Sequence, residues 1–400
     1  MKRYILYLML SLLFTPNLFS QLTVKFNGEL RTRLEIDARN FNRNGEWQNY
    51  IDNRARLGAV VSNNDDFDFV FKIIDSRTFG QAGVQNNFKN IDLNEVYLKL
   101  NKGDWEFILG RQEAKYYNGR IIAPSDWGNV PIVFEGATAR YSGKGYRLNA
   151  FAFRTAERLL PDDDFDRNLF GLFTEFRLSD NVQFNPFLLY DRATPPSELS
   201  RLTLGANSVG YLGPFNYDFD FAYQLGNISG GKNISALMAA ITLDYNFRTQ
   251  SKASVGVGFD FYSGDADPND DKSTVFDNSY SSKHGFLGDM DYFKLIATST
   301  WNLGVMDFYA YYKMALAPWL AAKLTGHYFN SDVVLKLNNG DELSNYGTEV
   351  DLSFLAKYNE YINFMFGGAT FLPGDIFKNK FGDETAFWFY AGFQLSFSQK

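Results

Sequence analysis

From Gln21 onward, apolar residues recur at every second position, not at every third or fourth. Phe67, Phe69, Phe71 and Ile73 alternate with Asp68, Val70 and Lys72. Tyr217, Phe219, Phe221 and Tyr223 alternate with Asp218, Asp220, Ala222 and Gln224, and the segments at Val255–Phe261 and Val350–Ala356 repeat the pattern. In a strand, successive side chains point to opposite faces, so each segment acquires one apolar face and one small or polar face. A soluble sandwich would show the same alternation with its polar face outward. Two features favour a membrane barrel instead. The segments run to about 9–12 residues, as a tilted strand crossing a bilayer requires. Their apolar faces are also crowded with Phe and Tyr, which suits interfacial girdles.

Connections alternate between short and long. Turn-forming residues mark the short ones: Asn63-Asn64-Asp65, Asn101-Lys102-Gly103, Gly143-Lys144-Gly145, Ser179-Asp180-Asn181, Gly213-Pro214, Arg248 to Lys252, Ala317-Pro318 and Asn359-Glu360. Longer polar stretches lie between them, at 37–48, 77–91, 113–131, 156–167, 192–199, 226–232, 263–304, 330–345 and 374–383. Eight turns and nine loops join eighteen strands, an even number with both termini on the short-turn side. Asp291 to Asn302 would add a nineteenth strand, so parity assigns it to the longest loop. The expectation is an all-β, transmembrane antiparallel β-barrel of about 18 strands. Short turns would be periplasmic and long loops extracellular. In the last segment Phe387, Phe389, Ala391, Phe393, Leu395 and Phe397 share one face. This aromatic alternation resembles the signal read by barrel-insertion machinery, although Ser398-Gln399-Lys400 follow it.

The amino terminus does not fit the barrel pattern. Lys2 and Arg3 precede an apolar run from Tyr4 to Phe14, then Thr15-Pro16-Asn17 and Ser20. That is a signal peptide over 1–20, leaving residues 21–400 as a single barrel domain. An eleven-residue apolar run is too short to span a hydrocarbon core that needs about 20 residues. Without residues 1–20 the chain holds 37 basic and 46 acidic side chains.

Composition removes several classes. With no cysteine, disulfide-stapled folds and Cys-ligated zinc are excluded. The two histidines, His284 and His327, fit no nucleophile triad, so no catalytic residue is assigned and no cofactor or metal is expected. Asp265, Asp267, Asp270 and Asp271 lack the spacing of a calcium-binding EF-hand and read as a solvated acidic loop. Nothing suggests a nucleic-acid partner. Aromatics at 18% are too abundant for a disordered chain.

The same parity identifies what faces the lumen. Phe26, Leu30, Leu34 and Ile36 point outward, so Arg31, Arg33 and Glu35 point inward. Leu57, Ala59 and Val61 send Arg54 and Arg56 inward on the neighbouring strand. Four guanidinium groups would then share one patch of wall. Lys72, Arg140, Arg177, Arg201, Lys323 and Lys357 also turn inward, as do Glu29, Asp52, Glu175, Asp218, Asp220, Glu349 and Asp351. These charges either pair across strands or form a basic ladder, since Arg grips carboxylates bidentately and rings of basic side chains select anions.

Three stretches resemble the alginate export family of outer-membrane barrels. The first is Asp52-Asn53-Arg54-Ala55-Arg56-Leu57-Gly58 with Asn64-Asp65-Asp66. The second is Leu109-Gly110-Arg111-Gln112-Glu113, then Tyr117-Asn118-Gly119-Arg120-Ile121-Ile122, Asp126-Trp127-Gly128-Asn129 and Phe134-Glu135-Gly136. The third runs from Tyr262-Ser263-Gly264-Asp265 through Thr274-Val275-Phe276-Asp277 to Met290-Asp291-Tyr292-Phe293. Gly128 and Asn118-Gly119 depart from the family pattern. The resemblance implies an eighteen-stranded barrel whose basic lumen passes an anionic polyuronate without its own energy source, with Arg111 and Arg120 added to the lumen set. Arg111 shares parity with Trp105, Phe107 and Leu109, so it enters the lumen only if a bulge re-aims it, or it sits above the membrane band.

The sequence therefore points to an outer-membrane pore for anionic oligo- or polysaccharides, or for small anions, with lipid and the insertion machinery as partners. Alternatives are a general diffusion porin, a plugged structural barrel, or a hydrolase with its site in the loops. Protein extracted from membranes is expected to begin at Gln21 on N-terminal sequencing; a start at Met1 would contradict the signal peptide.

Overall fold

The computed structural model describes residues 22–41, 46–63, 66–81, 91–160 and 163–399. The expected signal peptide lies outside the described residues, as do Asn64-Asp65 and most of the 77–91 loop. The strands are β1 Leu22–Ala38, β2 Gln48–Asn63, β3 Phe67–Thr78, β4 Ile91–Lys102, β5 Trp105–Gln112, β6 Phe134–Gly143, β7 Tyr146–Leu160, β8 Asp163–Ser179 and β9 Val182–Ala193. They continue as β10 Leu199–Leu212, β11 Phe215–Ile228, β12 Lys232–Asn246, β13 Ser254–Tyr262, β14 Lys272–Ser273, β15 Val305–Ala317, β16 Leu320–Lys336, β17 Glu342–Lys357, β18 Ile362–Pro373 and β19 Ala386–Ser398. Each pairs antiparallel with its chain neighbour, except that β14 is a two-residue parallel addition to β12 and β13 pairs directly with β15. Closure comes from β1 against β19, with Leu30 opposite Leu395 and Ile36 opposite Phe389. The result is a closed barrel of 18 antiparallel strands, the count reached from the turns. Closure removes every unpaired edge, which lipid would not tolerate.

The outward faces are apolar. Phe26, Leu57, Phe107, Leu109, Leu172, Val257, Phe308, Leu352 and Phe389 all lie exposed there, as the alternation requires. The segment 291–302 is not a strand; it holds turns and the short helix Ile296–Ser299. Three of the long loops are shorter than the polar stretches 156–167, 226–232 and 330–345 imply. β7 and β8 continue to Leu160 and Asp163, and only Ser229–Gly231 separates β11 from β12. β16 and β17 likewise extend to Lys336 and from Glu342. Polar composition misled in these places, because strands rising beyond the lipid band are wetted on both faces. Asp166 accordingly lies in β8, where Arg154 donates to it at 2.7 Å.

Most of the buried apolar residues are inside the barrel. Tyr116, Ile122, Phe276, Leu287, Met290, Phe293 and Phe377 come from connections, and they pack on inward wall residues such as Phe173, Phe329, Phe371 and Trp388. The 113–133 and 263–304 connections thus fold into the lumen.

Two glycines let neighbouring strands approach. Gly110 and Gly136 are register partners with φ of +134° and +154°, and a Cβ on Gly136 would stand 2.1 Å from the Ala152 carbonyl oxygen. Gly326 has open space around it. The folded barrel should migrate faster than the heated chain in SDS gels. Gly136→Ala should lower the temperature at which the fast band disappears, while Gly326→Ala should leave it within error; equal midpoints would contradict the packing assigned to Gly136.

Candidate functional site

The four arginines of β1 and β2 do meet on one patch, and Arg31 stands directly opposite Arg54 in the register. Like charges in that position repel. The 113–133 loop resolves the conflict by bringing acceptors to them. Arg31 donates to the Asp126 carbonyl at 2.7 Å, the Trp127 carbonyl at 2.9 Å and the Gly128 carbonyl at 2.8 Å. Arg54, fully buried, donates to the same Asp126 and Gly128 carbonyls and to Glu29 at 2.8 Å. Arg56 closes on the Asp126 carboxylate at 2.7 Å. Arg33 bonds Glu35 and the Trp127 carbonyl, and its guanidinium lies 4.2 Å from the centre of the Trp127 ring. Trp127 in turn stacks on His284 at 4.0 Å and meets Trp388 and Tyr390 edge-on. Burial pushes the Asp126 carboxyl up, but Arg54 and Arg56 outweigh it and hold it below the usual carboxylate range.

The loop crosses to the other side of the barrel. Tyr117 donates to the Thr174 carbonyl at 2.8 Å. Arg120, inward by way of the loop and buried, forks onto Asp260 at 2.7 and 3.1 Å, reaches Asp220 at 3.2 Å and lies 3.9 Å from the Phe286 ring centre. Asn118 donates to Asp220 at 2.6 Å. The second loop lies against the first through Ala123 N–H to the Tyr280 carbonyl and Ser282 N–H to the Gly119 carbonyl. It is tied to the wall by Arg201, which bridges Asp191 and Asp277, each at 2.9 Å. Burial works against the Asp277 charge, yet Arg201 and Ser279 take its pKa down to about 2. At its tip Met290 N–H donates to Glu349 at 2.8 Å, and Gly288 passes so close that a Cβ would lie 2.5 Å from the Glu349 Oε1.

The remaining sequence-derived residues divide. Lys72 pairs with Glu95, and Arg140 with Glu106 at 2.6 Å. Arg177 is exposed near the short-turn end, beside a small cavity it shares with Arg147 and Glu175. Arg111 is a correction. Its strand keeps regular register with no bulge, so Arg111 stays on the outward face with Trp105, Phe107 and Leu109, where it binds Glu135 at 2.6 Å and the Leu93 carbonyl. Parity alone carried that outcome. Asp260, Asp307 and Lys313 face inward but were missed, although each occupies the polar phase of an alternating strand. Asp126 was missed as a partner because nothing in a loop sequence says which wall it will reach.

The space left between the loops and the wall is a polar cavity of about 340 Å³. Arg120, Phe286 and Asp289 face it from the loops, and Tyr311, Lys323 and His327 from the wall. His327 sits between Asp307, 2.8 Å from Nδ1, and Asp351, 3.4 Å from Nε2. Burial and the Asp351 charge raise the Asp289 pKa above its ordinary value. Carboxylates 265, 267 and 270 face the backbone: Asp267, Asn269 and Lys272 N–H groups donate to them. Among the described residues no three His, Asp or Glu side chains converge on a metal position.

Because Asp126 stays ionised below the usual range, its grip on Arg54 and Arg56 is fully present above about pH 4 and is lost as pH falls through its lowered value. The current should therefore rise as pH falls below about 4, where this anchor is lost. Asp126→Asn should show the larger, noisier current already at pH 7. A variant indistinguishable from wild type would contradict the anchoring role.

Comparison with solved structures supports the architecture. The chain superposes on Acinetobacter baumannii OccAB4 with a TM-score of 0.64 at 11% identity, covering 96% of this chain and 100% of that one. It superposes on the outer membrane protein OpdK of Pseudomonas aeruginosa with a TM-score of 0.64 at 11% identity, covering 94% and 99%. For OpdO of the same organism the TM-score is 0.64 at 14% identity, covering 95% and 98%. At such identities the likeness shows the fold. No curated protein matches the chain in sequence. The protein is an outer-membrane barrel of the Gram-negative type. The model of the alginate export family matches residues 22–390, nearly the whole barrel, and the chain belongs to that family.

Proposed function

We propose that this protein is a passive outer-membrane channel for anionic saccharides, with its path running between the inward loops and the β11–β17 wall. The observation that carries this reading is the cavity itself, the space left where two loops cross an otherwise closed barrel. The arginines of β1 and β2 serve it as anchors: their donors are turned onto loop carbonyls and Asp126, so they shape the path from the far side. The acids along the path have internal donors. Asp220 and Asp260 are taken by Arg120, Glu349 by Met290 N–H, and Asp218 by the Asn207 amide at 2.7 Å. An anion passing them meets carboxylates whose charge Arg120 and His327 offset in part.

A pore is favoured over a hydrolase. Nucleophilic catalysis by a Ser-His pair needs an imidazole nitrogen facing the hydroxyl. Both nitrogens of His327 face carboxylates, and His284 is stacked on Trp127 with Nδ1 on Asp291 at 3.0 Å.

In planar bilayers the purified protein should carry steady current, and a reversal potential measured across a salt gradient should report preference for the anion. The preference should fade as salt rises, because screening at about 1 M reaches down to roughly 3 Å. Current without selectivity at low salt would leave a general diffusion porin, and no current at all would leave a plugged barrel.

A further inference from the structure

Lys313 and Lys323 are direct register partners on β15 and β16, both facing the cavity. This is the arrangement of Arg31 and Arg54, two cations opposed across a strand pair, which is destabilising unless an anion intervenes. At the arginines the protein supplies its own acceptors. At the lysines it does so only in part. Asp244 lies 3.5 Å from Lys313 and also accepts the Tyr311 hydroxyl. Among the described residues no carboxylate lies within salt-bridge distance of Lys323, whose other strand neighbour is Ser353. Among these residues Lys323 therefore has no ion-pair partner of its own in the open part of the lumen, and the opposing charge that feels it is Asp289 on the loop tip.

An aromatic face is built into the same patch. Lys323 and Lys313 Nζ lie 5.1 and 5.4 Å from the Tyr311 ring centre. Tyr311 is opposite Gly256 and Tyr309 opposite Gly258. A Cβ on Gly256 would strike the Tyr311 ring at 2.3 Å, and one on Gly258 the Tyr309 ring at 2.1 Å. The glycines thus let both rings lie flat against the wall, faces to the lumen. Flat aromatic faces take the apolar C–H side of a pyranose, while a pair of ammonium groups takes a carboxylate on its rim. Both lysines lie toward the short Pro318-Trp319 turn, beneath the loop tip at Phe286–Asp289.

We propose that Lys313, Lys323 and Tyr311 form a subsite for a uronate residue on the periplasmic side of the loops; the assignment rests on the channel reading above and names its first point of capture. The carboxylate sits between the two ammonium groups and the sugar ring lies on Tyr311. Both lysines are exposed, so neutralising them leaves the barrel intact.

The test is block of single-channel current by tri-galacturonate, with maltotriose as the uncharged counterpart, each added separately to either side. For wild-type protein at 0.1 M salt, tri-galacturonate added on the short-turn side should block more strongly than on the loop side, and maltotriose should block weakly from both. Lys313→Gln with Lys323→Gln should weaken short-turn-side block by tri-galacturonate about tenfold, the worth of two exposed ion pairs. Lys336→Gln, at the loop end beside Glu342, should leave the block unchanged. Equal tri-galacturonate block in wild type and the double lysine variant would overturn the subsite and leave the channel reading standing. Equal block by the two trisaccharides would overturn the preference for a carboxylate. No block of an open wild-type channel by tri-galacturonate would remove the anionic-saccharide reading and the subsite with it.

Discussion

Two guanidinium groups held face to face across neighbouring strands set the terms for the interior of this barrel. The register of β1 and β2 leaves Arg31 and Arg54 no freedom to part. Desolvating such a pair is tolerable only if acceptors surround it. A run of consecutive carbonyls from Asp126 to Gly128, with one carboxylate, supplies them. Binding by backbone carbonyls fixes the path of the 113–133 loop more firmly than one ion pair would. The loop's position in turn decides where Arg120, Phe286 and the second loop lie, and hence where the lumen remains open.

The lumen is consequently divided by charge. The arc around β1 and β2 is basic, and the β11–β17 wall carries Asp218, Asp220, Asp260, Asp307, Glu349 and Asp351. Neither arc is a bare field, because most of these charges have been given donors or acceptors by the loops or by their neighbours, although Glu349 and Asp351 each keep one oxygen without a partner. The open cavity inherits the acidic side's geometry with much of its charge compensated. Lys313 and Lys323 stand out on that wall for this reason.

The barrel itself was legible in the sequence, because a period of two is a direct imprint of the pleat and the turns carry their own residues. Parity then placed Arg31, Arg33, Arg54 and Arg56 correctly, and it placed Arg111 outward where motif resemblance had drawn it into the lumen. What stayed hidden depends on long-range encounters. The sequence shows that Arg54 faces inward; it holds no sign that Asp126, seventy-two residues on, will meet it. The same limit applies to Arg120 and Asp260, on a loop and a strand far apart in the chain. Strand ends at Leu160 and Lys336 were hidden for another reason: above the lipid band, the alternation that marks a strand disappears.

The central claim is that the arginine arc anchors the loops while solute passes along the opposite wall. The absence of native cysteine makes single thiols clean reporters. The most direct measurement is the change in single-channel current when a negatively charged thiosulfonate is added to Lys323→Cys on the cavity wall, compared with Asn149→Cys, buried on the inward face of β7. The account predicts a prompt, lasting change at position 323 and none at 149. Modification that altered current at 149 and left 323 silent would place the path away from the β11–β17 wall and contradict it.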